Sequence, residues 1–139
     1  AATQNATARA SALPEPTPAE LVMEAEQLWQ NGKRDAARAR FQQAGARTDA
    51  TAEAAWLRFS RLELTQGSPQ RALSALKQRN ERFGSGLLAA EASWLEVQAL
   101  ERLLRHAEAR AVAEHLGVRF PNSPQARAAR GLVQSQEMQ

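Results

Sequence analysis

The sequence predicts an all-α fold built from stacked helical hairpins, and three observations carry that prediction. Ala, Leu, Glu, Gln and Arg dominate, Val and Ile are nearly absent and Tyr is missing, so the composition favours helix and gives a sheet little to build on. Every proline lies in the first 16 residues or where a helix should begin or end, as the cost of an internal proline (about 3 kcal/mol) requires. A turn followed by a small-residue stripe occurs three times. It is Ala37, Phe41 and Ala44 after Gly32; Ala72, Leu76 and Arg79 after Gly67; and Ala109, Ala113 and Leu116 after Leu104. The spacings are 35 residues (37 to 72) and 37 residues (72 to 109), which leaves room for two helices per unit.

At 139 residues the chain is one domain's worth. Residues 1–16 carry almost no large apolar side chain, and a segment that buries so little cannot offset its ordering entropy. They read as a linker or arm, and residues 17–139 as the helical repeat domain. Thr17, Pro18 and Glu20 form a helix start, with Thr17 as cap and Glu20 completing a capping box. The first helix runs to about Asn31 with Leu21, Val22, Ala25, Leu28 and Trp29 on one side. The second spans about Arg34 to Ala46, with Gly45 as its stop. The third carries Ala55, Trp56, Phe59 and Leu62 and stops at Gly67. Ser68 and Pro69 open the fourth, which Gly84 and Gly86 break. The fifth spans about Leu88 to Leu104, the sixth ends near Phe120 and Pro121, and Ser123 and Pro124 begin a seventh. Connections this short force sequential helices to pack antiparallel.

Where two helices cross closely, the crossing point admits nothing larger than Ala. Ala37, Ala72 and Ala109 occupy that place. Two further self-matches support the repeat. One sets Ala52–Leu57 against Ala90–Leu95, aligning Trp56 with Trp94; the other sets Arg82–Ser85 against Arg119–Asn122. The Trp match and the turn match differ by one residue, so the register of the third unit is open by one.

The inventory for catalysis is thin. No Cys is present, which removes disulfides, thiolate metal sites and Cys nucleophiles. The two His, His106 and His115, lie nine residues apart on one predicted helix and face opposite sides, so they cannot share a metal or a proton. The two Asp, Asp35 and Asp49, lie near helix starts, where capping explains them. Glu101 and Arg105 form an i,i+4 pair that would support their helix. Neither an enzyme activity, a cofactor, a metal nor a small-molecule substrate is expected. The balance of 18 basic against 15 acidic residues gives a net charge of +3, and the basic residues are scattered without a clustered face, which argues against nucleic acid as partner. No window is apolar enough to span a membrane. The first residue is not Met, so a processed chain or an excised domain is expected, with any signal or anchor upstream.

The pattern Gly32, Ala37, Phe41, Ala44 resembles the second half of a tetratricopeptide repeat, and Leu104, Ala109 and Pro121 sit at corresponding places in the third unit. The run from Phe120 to Ala126 resembles unit junctions of bacterial cell-envelope proteins with such repeats, the Tol–Pal-associated YbgF-like and BamD-like groups. The resemblance covers about residues 18–136. The chain departs from the family at Ala25, Ser60 and Val97, where Gly is usual in the first helix, and at Leu104, where the turn glycine is lost. The usual junction proline appears only at Pro121.

The resemblance implies a right-handed α–α superhelix, a solenoid of about three helix–turn–helix units with a C-terminal capping helix. It also implies a non-enzymatic interaction module, a scaffold or adaptor that holds a protein or peptide along a concave groove lined by first helices. Mapped onto this chain, the groove would carry Val22, Glu26 and Trp29, then Leu57 and Arg61, then Trp94, Gln98, Glu101 and Arg102. Some family members clamp a terminal carboxylate with Lys and Asn, but those places hold Val22, Leu57 and Trp94, then Glu26, Arg61 and Gln98, so no such clamp is expected. The alternatives are a self-associating structural module and, behind it, nucleic-acid binding. The implied location is the bacterial periplasm or cell envelope, with the cytoplasm as alternative.

Overall fold

The computed structural model describes residues 14–138; the expected arm lies outside them up to residue 13. Among the described residues there are seven helices and no strand. They are α1 (Pro18–Gln30), α2 (Arg34–Gly45), α3 (Ala50–Gln66), α4 (Pro69–Phe83), α5 (Ala89–Arg102), α6 (His106–Arg119) and α7 (Pro124–Glu137). Four starts are capped by side chains that the sequence offers for it. Thr17 accepts from the Glu20 amide at 3.1 Å, Asp49 from Ala52 at 2.9 Å, Ser68 from Arg71 at 3.4 Å and Ser123 from Ala126 at 3.0 Å. Pro18, Pro69 and Pro124 each follow a cap. Asp35 does not cap: it lies one residue inside α2, where it pairs with Arg38 at 3.1 Å.

The helices pack in sequential pairs, α1 with α2, α3 with α4 and α5 with α6, with α7 on the last pair. Each first helix also touches the first helix of the next pair, so α1, α3, α5 and α7 lie side by side. The crossings are made as the small residues require. Ala37, Ala72 and Ala109 are buried, and so are the residues at the matching point of the preceding helix, Ala25, Ser60 and Val97. Phe41, Leu76 and Ala113 fill the next groove, and Phe41 stacks on Phe59 with ring centroids 5.1 Å apart. The Ser60 hydroxyl donates to the Trp56 carbonyl at 2.7 Å, which satisfies a polar group sealed in the crossing.

Burial also decides the register of the third unit. Ser60 and Val97 are 37 residues apart and equally buried, as are Ala55 and Ala92. Trp94 therefore corresponds to Leu57, and Ser93 to Trp56. The sequence match of the two Trp-Leu pairs is a coincidence one residue out of step.

Two turns repeat as well. Gly32 has φ of +79° and Leu104 has φ of +60°, so the left-handed residue survives in the third hairpin without its glycine. That turn ends α5 at Arg102 and so separates Glu101 from Arg105. The expected pair does not form; Arg105 bonds Glu108 instead, at 2.6 and 2.9 Å. Gly45 is the last residue of α2, as expected, though without a left-handed turn. Its carbonyl accepts from Trp56 Nε1 at 2.9 Å and Arg82 Nη1 at 2.7 Å. A Cβ there would lie 2.3 Å from the Trp56 ring, which is why the residue is glycine.

Two buried carboxylates on α3 are paired, Glu63 across to the preceding hairpin and Glu53 within its own. Glu63 is chelated by Arg38 of α2 at 2.8 and 3.1 Å, and its carboxylate lies where a Cβ on Gly67 would be. Glu53 pairs with Arg79 of α4, a residue that the small-residue stripe correctly puts inside. Arg79 also donates to the Gly84 carbonyl at 2.8 Å, so the pair fixes the α4–α5 connection.

Candidate functional site

The row of first helices holds the residues expected to face a partner, and the four charged ones among them link one helix to the next. Glu26 of α1 pairs with Arg58 of α3, and Arg61 of α3 pairs with Glu91 of α5. Arg102 of α5 donates to the Leu64 carbonyl of α3. Glu101 of α5 accepts from Gln136 of α7 at 2.6 Å and meets His106 Nδ1 at 2.9 Å. Each step along the row thus carries a polar link supplied by an expected groove residue. Such half-exposed pairs add only about 0.2–1 kcal/mol each, so they set spacing more than stability.

The apolar members of the expected set divide. Leu57 is in the core, clustered with Leu64, Ala92, Leu95 and Ala99 between α3 and α5, and offers no surface to a partner. Trp29 is also buried. Its indole N–H donates to Gln66 Oε1 at 3.0 Å, and the guanidinium groups of Arg34 and Arg38 lie over its ring at 4.8 and 5.5 Å. Its edge contributes to a small depression of about 250 Å³ between α1 and α3, rimmed by Glu26, Arg58, Arg61 and Thr65. Val22, Trp94 and Gln98 are half-buried and keep part of their surface in solvent.

The larger clefts lie on the opposite side, between successive second helices. The first, about 630 Å³, runs between α2 and α4 over a floor of Trp56 and Phe59. Its floor is nearly sealed, and its buried acid, Glu63, is neutralised by Arg38. The second, about 640 Å³, runs between α4 and α6 and is walled by Leu73, Leu100 and Val112. A third, about 440 Å³, adjoins it and shares Asn80, Glu96 and Val112. Glu96 stands one 37-residue period after Phe59, so a carboxylate replaces the aromatic floor of the first cleft. Burial alone pushes its carboxyl above the ordinary glutamate range.

These clefts were not read from the sequence. Their signal was the mismatch of Glu96 against Phe59, which shows only once the register is fixed by Ser60 and Val97. The two His sit at different ends of α6, His106 with Glu101 and His115 in the third cleft. No cluster of three or more His, Asp or Glu suited to a metal occurs among the described residues, and no helix among them is long and apolar enough to cross a membrane. No family model, no curated protein and no solved structure matches this chain.

Proposed function

We propose that the chain is a three-unit tetratricopeptide-like solenoid, a right-handed superhelix closed by α7, and that it acts as a non-enzymatic scaffold for a protein or peptide partner. The observation that carries this reading is the lateral row of first helices, tied step by step through Glu26–Arg58, Arg61–Glu91 and Glu101–Gln136. A row linked in that way forms one continuous surface on which an extended segment or a helix can lie across several units. Trp94, Gln98 and Val22 supply its accessible contacts, with Trp94 as the apolar anchor. The Phe120–Ala126 junction supports a place in the bacterial cell envelope.

The test is affinity capture from a bacterial envelope extract with wild type beside a Trp94→Ala, Arg61→Glu double variant of matched helicity and thermal midpoint. Proteins recovered by the wild type and lost with the variant support the reading. Recovery of the same proteins by both removes this face as the binding surface. Sedimentation over a concentration series should give a constant mass; a mass that rises with concentration would make the chain a self-associating module instead.

A further inference from the structure

We propose that the cleft between α4 and α6 is a receptor for a long basic side chain, an arginine or lysine of a partner protein, whose cationic head pairs with Glu96. This inference is independent of the first-helix face.

Glu96 is half-buried on α5, and no hydrogen bond or ion pair reaches it among the described residues. The fold does not need it there: one period earlier the same place holds Phe59, stacked in the core. One turn further along, Glu63 has its Arg38, whereas the matching residues of the next interface are Leu100 and Leu73. An acid that breaks the apolar pattern of a repeat without gaining a partner fits a binding role better than a folding role.

The cleft matches an amphipathic cation in both its parts. Leu73, Leu100 and Val112 wall the channel that a methylene stem would follow. Glu96, which lines both this channel and the adjoining third cleft, puts a carboxylate where the two meet, and Ser93, three residues before it and so on the same face of α5, adds a hydroxyl on the side of the third cleft. The cations nearby are mostly engaged. Arg79 is bound to Glu53, Arg105 to Glu108, and Arg119 lies over the Phe120 ring at 4.9 Å. Lys77 and His115 line the clefts without a polar partner among the described residues, and Lys77 is the internal competitor for Glu96.

The experiment is an NMR titration of the full chain with butylguanidinium and butylammonium, with pentanoate as the anionic control. The expected result is a saturable shift of the Glu96 carboxyl carbon and of the Ser93, Asn80 and Val112 amides, in the millimolar range suited to so small a probe. Pentanoate should leave them unmoved. Glu96→Gln should weaken the binding on the order of tenfold or more, as loss of a charged partner requires. Shifts that do not saturate, or that persist in Glu96→Gln, overturn the proposal. So does a Lys77→Met variant in which the Glu96 carboxyl titrates at clearly higher pH, because Lys77 would then already fill the site. If Glu96→Gln does not fold, the wild-type titration decides alone, since binding elsewhere would not move the Glu96 carboxyl carbon.

Discussion

Replacing Arg79 by Met should destabilise the domain by about 3–5 kcal/mol, the cost of stranding a buried carboxylate. The Arg79 side chain is 2% exposed and that of Glu53 4% exposed, so water cannot take over the solvation of Glu53 when the guanidinium goes. The variant also removes the donors to the Gly84 carbonyl at 2.8 Å and to Asn80 Oδ1 at 2.9 Å, which hold the α4–α5 connection. For the 125 described residues, total stability is roughly 6–19 kcal/mol, so the loss is a large share of it. Urea unfolding followed by Trp fluorescence measures the change, with Trp56 on the same helix as Glu53. The Glu53→Met, Arg79→Met double variant should recover most of the loss, because two apolar side chains of similar volume leave no unpaired charge. A single variant that costs under about 1 kcal/mol would show a hydrated pair and refute the reasoning.

Enlarging Ala72 to Phe should cost about 1–3 kcal/mol by overpacking the α3–α4 crossing, read as a lower urea midpoint at unchanged m-value. Leu104→Gly should be neutral or stabilising by up to about 1 kcal/mol, because it relieves a left-handed residue whose side chain is 77% exposed; thermal melts check the sign. Glu96→Gln should raise stability at pH 7, with the gain closing as pH falls towards about 4. The folded carboxyl titrates above its unfolded value, so its unfavourable contribution is absent below the unfolded pKa and grows as pH rises through the folded one. Denaturation of both proteins over that pH range tests the sign.

The hairpin stack was legible because its signals are local and repeated. Ala37, Ala72 and Ala109 mark places where backbones approach, and Pro18, Pro69 and Pro124 mark starts where an amide is not needed. Function was less legible. A helical position does not reveal whether its side chain faces solvent or the neighbouring unit, and that distinction placed Leu57 and Trp29 inside. Glu26, Arg61 and Arg102 read as groove charges, and Glu101 as the partner of Arg105, until the next first helix is laid beside them. The Gly45–Trp56 contact joins residues on two helices, so the packing demand for glycine at this helix end was not visible along the chain. Glu96 was hidden by the one-residue coincidence at Trp94.

The hairpins stack in a row, each touching the next. Side-chain NOEs in the isotope-labelled chain test this packing most directly. Cross-peaks should link Leu57 and Leu64 of α3 with Ala92, Leu95 and Ala99 of α5, and none should link α1 with α7. Cross-peaks between α1 and α7 would mean a closed bundle, and the row of first helices would not exist.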